Sequence, residues 1–205
     1  MPEKVMAYID GFSLYFGLRD MGWRGYYWLN VKSLCEKFAK LPHRRLVGVK
    51  YFTSRIKGDQ SKIARQDAFI QALKTVSGIE VLWGKYGIRS YECHSCHHKG
   101  ELPAEKMTDV YIASEMIMDA SQNIYDTAYL ISGDKDLVPA IKIIKEAFPD
   151  RRIVLIPPPK RYCSDLRTVA HATLTMWEHY LRKAQFSSTI TRPNLSPLTR
   201  PASWV

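Results

Sequence analysis

The sequence has few cysteines, no long apolar run and far fewer acidic than basic residues. No apolar run approaches the ~20 residues that a membrane-spanning helix needs. Residues 1–8 are too short and too quickly charged to form a secretory signal. We therefore expect a cytoplasmic protein without a membrane partner, in which the 4 cysteines are reduced.

The excess of positive charge is the clearest signal in the composition. The 205 residues include 30 Lys and Arg against 20 Asp and Glu, which gives a net charge of +10. Such a charge favours a polyanionic partner, because basic side chains release the counterions that surround phosphates. The alternative is that the charge serves solubility alone. The length and a hydrophobic fraction of 46% fit one ordinary globular domain.

Predicted strands and helices alternate along the chain. Apolar runs predict strands at residues 4–9, 46–53, 79–83, 127–132 and 152–156. Helical spacing predicts helices at residues 12–21, 31–38, 63–76, 104–120, 137–147, 165–171 and 177–184. The predicted inner face of the first helix consists of Phe12, Tyr15, Phe16 and Leu18. The alternation predicts an α/β fold, in which a parallel sheet has helices on both faces and its active site beyond the carboxyl ends of the strands.

The chain divides into one domain, residues 1–185, and a C-terminal tail, residues 186–205. Residues 86–103 show little periodicity and are predicted to be an insertion or loop within the domain. The tail contains Pro193, Pro197 and Pro201 and no acidic residue. Three states fit this composition: packing over the domain, contact with a second subunit in a homo-oligomer, or disorder.

Three aspartates come directly after predicted strands. Asp10 follows the first strand, and Asp134 and Asp136 follow the fourth. If these strands are neighbours, the three carboxylates meet at one edge of the sheet. Clustered carboxylates repel one another and stay ionised best around a cation, and their hard oxygen ligands suit Mg²⁺ or Mn²⁺. The alternative is that each aspartate is a turn residue or helix cap, with Asp136 capping the helix at residues 137–147.

Asp109 is a fourth candidate ligand, early in the helix predicted at residues 104–120. Lys106 precedes it by three residues, so both side chains would share one helix face and the lysine could hold a substrate phosphate. A metal ion held by such carboxylates would polarise a scissile phosphate and orient an attacking water. The pattern therefore favours metal-assisted phosphoryl chemistry.

Three segments resemble the motifs of a known family. The opening motif of the NYN domain family, a branch of the PIN-like nuclease superfamily, is similar to Tyr8-Ile9-Asp10-Gly11-Phe12-Ser13-Leu14-Tyr15. The second motif is similar to Glu105-Lys106-Met107-Thr108-Asp109-Val110. The third is similar to Ser132-Gly133-Asp134-Lys135-Asp136-Leu137-Val138-Pro139. The segments occur in the family's order.

The resemblance implies a PIN-like, Rossmann-like fold and a metal-dependent endoribonuclease with Mg²⁺ or Mn²⁺ as its cofactor. It assigns metal binding and catalysis to Asp10, Asp109, Asp134 and Asp136. Ser13 stands where the family has asparagine. The resemblance also makes Ser13 and Ser132 candidates for binding the substrate, which is RNA, with DNA as an alternative.

Two other functions fit parts of this pattern. A nucleic-acid-binding module could keep the fold with weak or no catalysis, as the serine at position 13 suggests. A phosphatase that forms a phospho-enzyme needs an Asp-x-Asp pattern on its first strand. Residue 12 is Phe, so that pattern is missing.

Basic and aromatic residues supply candidate contacts to a nucleic acid. Arg55 and Lys57 follow the second strand, while Lys160 and Arg161 follow the fifth. This placement suits a groove along a phosphate backbone, and we expect Arg55 and Lys57 to bind substrate. The alternative for these charges is a solvated surface. Two interpretations, stacking on unpaired bases and packing in the core, apply to the aromatic residues Trp23, Tyr26, Tyr27 and Trp28. Packing is favoured for Tyr27 and Trp28.

A second metal site is one interpretation of the dense cluster of cysteine and histidine at residues 93–98. Cys93 and Cys96 have the Cys-x-x-Cys spacing of a zinc knuckle, with His97 and His98 as further ligands. No second Cys-x-x-Cys is present in the chain. The alternative is a flexible loop with reduced cysteines.

If the cluster is a structural zinc site, the purified protein should contain about one zinc ion per chain, because one ion takes about four protein ligands and the cluster supplies one such set. Metal analysis by mass spectrometry measures this. The double substitution Cys93→Ser, Cys96→Ser should remove the zinc. A double variant that retains all of it would disprove the site.

Overall fold

The computed structural model describes residues 2–41, 43–92 and 95–204, with side chains described outside residues 86–90 and 101–106. The first strands are β1 (Glu3–Asp10), β2 (Arg44–Ser54), β3 (Ile79–Glu92) and β4 (Lys99–Lys106). The later strands are β5 (Thr127–Ile131), β6 (Arg152–Leu155), β7 (Ala172–Thr173), β8 (Thr189–Arg192) and β9 (Leu195–Thr199).

Seven α-helices connect or follow the strands in the described part of the chain. They are α1 (Gly11–Asp20), α2 (Val31–Phe38), α3 (Gln60–Lys74), α4 (Thr108–Ser121), α5 (Val138–Ala147), α6 (Ser164–Val169) and α7 (Glu178–Arg182). Short 3-10 turns lie at Arg24–Tyr26, Lys135–Leu137 and Ala202–Trp204. None of these described helices combines the length and apolarity needed to cross a membrane.

One seven-stranded sheet forms the centre of the fold, in the order β4-β3-β2-β1-β5-β6-β7. The strands from β3 to β7 in this order pair in parallel, and β4 pairs antiparallel with β3 at the edge. Helices cover both faces, as the two hydrophobic cores below show. The predicted α/β fold with a parallel sheet is therefore confirmed.

The order of the strands reverses at β1, which lies between β2 and β5. On one side Asp10 pairs with Phe52, and on the other Ile9 pairs with Ile131. The carboxyl ends of β1 and β5 are thus adjacent, which is the condition for Asp10, Asp134 and Asp136 to meet at one edge of the sheet. Open α/β sheets bind ligands at this reversal, because the connecting loops diverge there and leave a crevice.

Each face of the sheet has its own hydrophobic core, because side chains alternate along β1. Val5, Ala7 and Ile9 belong to the core that includes α1, α2, α3 and α7. Met6 and Tyr8 belong to the core that includes α4, α5 and α6. Asp10 is the next residue in the second series, so the alternation places it on the α4 side.

A buried polar network joins α4 to the sheet. The Tyr8 hydroxyl donates to Asp119 over 2.6 Å, and the Lys50 ammonium donates to Asp119 and Glu115, each at 2.6 Å. Burial alone would lower the pKa of Lys50, but the hydrogen bonds that it donates to both carboxylates raise it above its ordinary value. The network therefore keeps Lys50 charged and holds α4 against β1 and β2.

The structure corrects two predictions in the region before α4. Residues 86–103 were predicted to be an insertion or a loop, and the loop is wrong, because most of them form the hairpin of β3 and β4. The helix predicted from residue 104 begins at Thr108, so Ala104–Lys106 belongs to β4. Pro103 obscured the second strand, because proline cannot donate to a ladder and is tolerated only at an edge such as β4.

The C-terminal segment packs on the domain through an antiparallel hairpin of β8 and β9 and a final 3-10 turn. The Trp204 ring lies 5.6 Å from that of Tyr27 and 6.2 Å from those of Trp28 and Phe69. The Trp28 indole donates to the carbonyl of Ser187 over 2.8 Å. Residues near the end of the chain thus complete the core on the α3 side.

Replacing Trp204 by alanine should lower the free energy of unfolding by about 3 kcal/mol, because it leaves a cavity in this core. Urea denaturation followed by far-UV circular dichroism measures the change. Trp177→Ala is the matched control, since Trp177 is 59% exposed and Trp204 only 8%. Equal losses in the two variants would contradict this packing.

Candidate active site

Asp10 lies at the junction of β1 and α1, where its side chain caps the helix. Its Oδ1 accepts the Ser13 amide at 2.9 Å, and its Oδ2 accepts the Ser132 hydroxyl at 2.9 Å. The side chain is buried. Burial raises the pKa of Asp10, the two hydrogen bonds oppose this rise, and the charge of Asp134 adds to it. The two hydrogen bonds therefore fix the orientation of the Asp10 carboxylate.

In the loop after β5, side-chain oxygens also accept hydrogen bonds from backbone amides. The Ser132 hydroxyl accepts the Asp134 amide at 3.1 Å, and the Asp134 carboxylate accepts the Asp136 amide at 2.9 Å. Asp134 thus caps the 3-10 turn at Lys135–Leu137. The expected alternative of Asp136 as a cap is wrong, because Asp136 lies inside that turn and is exposed.

Two glycines allow these elements to approach closely. A β-carbon on Gly11 would lie 2.5 Å from the Tyr51 hydroxyl and 2.7 Å from the Phe52 carbonyl. One on Gly133 would lie 2.2 Å from the Arg161 carbonyl. The Gly133 amide donates to the Ser13 hydroxyl over 3.0 Å, which ties the loop to α1. Each glycine sits beside an aspartate of the cluster, so any larger residue would displace a carboxylate.

Asp109 lies in the first turn of α4 and is partly buried. Burial raises the pKa of Asp109 to about 6, with further increases from the charges of Asp134, Asp10 and Asp136 in that order. The charges of the other three predicted aspartates therefore all act on Asp109. The structure brings the four aspartates to the carboxyl edge of the sheet, at the reversal of the strand order.

The donor chemistry of this cluster fits a hard divalent cation, because all four side chains are carboxylates. Within the described residues, no three His, Cys, Asp or Glu side chains are close enough to share a metal ion as they stand. Asp10 and Asp134 are turned toward hydrogen-bond donors of the protein. A shared ion would require side chains of the cluster to reorient, and Asp136 has the most exposed of the four.

The two candidate serines have positions inside the protein network. Ser132 is fully buried, donates to Asp10 and accepts from Asp134. The Ser13 hydroxyl accepts the Gly133 amide. These contacts support a role in positioning the carboxylates, and the substrate contact expected from the sequence stays a prediction.

The three basic candidates have different environments. The Arg55 guanidinium lies 4.6 Å above the Trp83 ring and 4.0 Å from Asp67, and it is exposed just beyond β2. Lys57 is exposed in the following turn. Lys106 ends β4, outside α4, so the expected helical face shared with Asp109 is wrong. The side chain of Lys106 lies outside the described residues.

Only part of the predicted zinc cluster lies within the described residues, because Cys93 and His94 fall outside them. Cys96, His97 and His98 are exposed at the tip of the hairpin of β3 and β4. His97 Nδ1 lies 3.1 Å from the Glu92 carboxylate. The zinc site therefore stays a prediction.

An open groove lies beside Asp136 and was not predicted from the sequence. It has a volume of about 620 Å³, and Asp136, Lys135, Lys142 and Asp165 are among its lining residues. Lys135 lies in the 3-10 turn before α5 and Lys142 lies within α5, so the two lysines reach the groove from consecutive elements. The groove extends from the acidic edge along α5 and α6.

A cavity of about 440 Å³ lies between α1, α3 and the C-terminal turn, and the sequence did not predict it. We name it the α1–α3 pocket. Its aromatic lining is Phe12, Tyr15, Phe16, Tyr27, Tyr51, Phe69 and Trp204, and its cationic lining is Arg19, Lys62 and Arg65. The predicted inner face of α1 was partly wrong, since the buried residues are Gly11, Leu14, Gly17 and Leu18. Tyr27 and Trp28 are buried in the core, as favoured from the sequence.

The model of the NYN domain family matches residues 4–178, which is most of the chain. The chain belongs to the NYN domain family. The resemblance seen in the three motifs is therefore confirmed, together with the PIN-like superfamily that contains NYN domains. The match extends from β1 to the start of α7, so it includes all four aspartates.

Two individual proteins are similar to this NYN chain. The 6-hydroxy-3-succinoylpyridine 3-monooxygenase of Pseudomonas putida is 25% identical over 246 aligned positions, which cover 99% of this chain and 76% of that protein. The crystal structure of a protein of unknown function from Vibrio parahaemolyticus superposes with a TM-score of 0.57 at 19% identity, covering 86% of this chain and 94% of that one. The second likeness shows the fold alone.

Replacing Asp109 by asparagine should stabilise the metal-free protein at pH 7. Folding raises the pKa of Asp109 from 3.8 to about 6, so its contribution to stability is present below pH 3.8 and is lost as the pH rises through about 6. Solvent screening of this partly exposed group limits the gain to about 1 kcal/mol, or about 2–4 °C in melting temperature.

Thermal denaturation with chelator at pH 7 measures the gain. Asp150→Asn removes an exposed charge before β6 and should leave the melting temperature unchanged. At a pH near 4 the difference between wild type and Asp109→Asn should shrink. An unchanged or lower melting temperature for Asp109→Asn at pH 7 would contradict the electrostatic coupling of the cluster.

Proposed function

We propose that this protein is a metal-dependent endoribonuclease that hydrolyses RNA phosphodiester bonds at the aspartate cluster. The observation that carries the proposal is the convergence of Asp10, Asp109, Asp134 and Asp136 where the strand order reverses. Burial and neighbouring carboxylates raise the pKa of Asp10 and Asp109, which disfavours the empty state of the site and favours one with a cation. Membership of the NYN family supports the same activity.

Asp10, Asp109, Asp134 and Asp136 would hold Mg²⁺ or Mn²⁺. When bound, such an ion supplies Lewis acidity toward a phosphoryl oxygen and lowers the pKa of a bound water. The protein itself orients the carboxylates. Ser13 and Ser132 direct Asp10 through its two oxygens, and Gly133 holds the loop of Asp134 against α1.

The surroundings of the cluster support a nucleic-acid substrate. The groove beside Asp136 carries Lys135 and Lys142, and both lysines are exposed. Arg55 is exposed at the carboxyl end of β2, with its guanidinium over the Trp83 ring. These cations can contact phosphates that approach the cluster from either side, in keeping with the net charge of +10.

Two other candidate functions have an observation in their favour. A nucleic-acid-binding module with little catalysis fits the carboxylates of Asp10 and Asp134, which are engaged by protein donors. Chemistry on a small aromatic molecule fits the name of the Pseudomonas putida relative and the α1–α3 pocket, whose volume suits a small ligand. Neither uses all four aspartates.

Cleavage of labelled RNA, with and without chelator, tests the proposal. Wild-type protein with Mn²⁺ or Mg²⁺ should cut RNA, and chelator should abolish the cutting. Asp134→Asn should lower the rate at least about 100-fold, because loss of a ligand exceeds the effect of losing an outer-shell partner. Asp150→Asn is the control for a neutralised surface aspartate and should cut at the wild-type rate.

The outcomes separate the three functions. RNA that is bound but equally intact with wild type and Asp134→Asn would replace the nuclease with the binding module. Depletion of 6-hydroxy-3-succinoylpyridine under air with an added two-electron reductant, with RNA left intact, would replace it with small-molecule chemistry. Cleavage by Asp134→Asn at the wild-type rate would place the activity in a contaminant.

A further inference from the structure

The walls of the α1–α3 pocket form an unbroken series of aromatic contacts. The Tyr15 and Tyr27 rings lie 5.0 Å apart, and Tyr27 lies 5.6 Å from Trp204. Trp204 lies 6.2 Å from Phe69, which lies 5.8 Å from Tyr51. These rings come from α1, the turn after it, β2, α3 and the final 3-10 turn. A cavity lined in this way offers π faces and edges to a planar ring.

The charged part of the lining is cationic. Arg19 lies 4.5 Å above the Phe16 ring and 3.3 Å from Asp20, and Lys62 lies 3.6 Å from Asp59. Arg65 is half-buried, and no described residue gives it a hydrogen bond or an ion pair. None of the described lining residues is acidic. A half-buried cation without a counter-charge favours an anionic ligand.

The pocket adjoins the aspartate cluster along the chain. Gly11 lines the pocket and directly follows Asp10. Thr53 and Ile56, also in the lining, lie at the carboxyl end of β2, which pairs with β1. The pocket and the cluster thus lie at the same edge of the sheet, on its two opposite faces.

We propose that the α1–α3 pocket binds one nucleotide of the substrate RNA, with its base among the aromatic rings and a phosphate at Arg65. This inference rests on the proposed nuclease function and adds a specificity site to it. A ligand that consists of a neutral base alone would leave Arg65 without a counter-charge. A ligand that consists of a phosphate alone would leave the aromatic side chains without a stacking partner. A nucleotide satisfies both, and the cavity of about 440 Å³ has the size of small-ligand sites.

Calorimetric titration of the whole protein tests the pocket directly, in buffer with chelator so that the aspartates bind no metal-bridged phosphate. Adenosine 5′-monophosphate should bind at least about tenfold more tightly than ribose 5-phosphate, which lacks the ring, and than adenosine, which lacks the charge. Arg65→Gln should weaken the binding of the nucleotide about tenfold while leaving that of adenosine unchanged. Tyr15→Ala should weaken the binding of both.

Matched controls keep these results interpretable. Lys74→Gln removes an exposed charge at the end of the same helix and should leave nucleotide binding unchanged. Tyr15 is 40% exposed, so its truncation should preserve the melting temperature. The pocket would not be a nucleotide site if ribose 5-phosphate bound as tightly as the nucleotide. The same conclusion would follow if Arg65→Gln bound the nucleotide as tightly as wild type. Tighter binding of pyridine-3-carboxylate would overturn the nucleotide assignment in favour of a small aromatic acid.

The cleavage assay separates this inference from the nuclease proposal. Tyr15→Ala and Arg65→Gln should raise the KM for RNA several-fold, with kcat within about twofold of wild type. Asp134→Asn should lose cleavage and still bind the mononucleotide. Nucleotide binding without any RNA cleavage by wild type would defeat only the nuclease proposal. Cleavage with unchanged KM in both pocket variants would defeat only the pocket.

Discussion

The candidate site depends on the parallel pairing of β1 with β5 at the reversal of the sheet order. That pairing brings Ser132 to Asp10, so one hydroxyl links the two strand ends and also receives the amide of Asp134. A slip of one residue would turn the side chains of β1 toward the opposite core and remove this link. The cores on both faces fix the register, and the register places the carboxylates.

The part of the site that could be predicted is the part set by local rules. Asp10, Asp134 and Asp136 follow strands whose apolar runs are evident, and alternation with helices implies a parallel sheet. Asp109 required the family resemblance, since no local pattern links α4 to β1. The placement of Lys106 failed because an edge strand with Pro103 has no periodic signal, while pairing with β3 decides its structure.

The α1–α3 pocket shows a different limit of sequence reasoning. Its rings come from positions as distant as Tyr15 and Trp204, and each is by itself an ordinary core or surface aromatic. Helical spacing identifies α1 but not its rotation, which depends on Gly11 and Gly17 packing closely against β2 and Pro159. That rotation turns Tyr15 toward the pocket. Tertiary contacts therefore decide which aromatic residues can meet a ligand.

The buried network of Tyr8, Lys50 and Asp119 has a consequence for how these proteins diverge. It connects the strand that ends in Asp10 with the helix that begins near Asp109. Losing Lys50 would leave the buried carboxylate of Asp119 without a counter-charge, at a cost of about 3–5 kcal/mol. Substitutions at Lys50 and Asp119 should therefore arise together among relatives, and an evolutionary record of the site would include residues that no substrate touches.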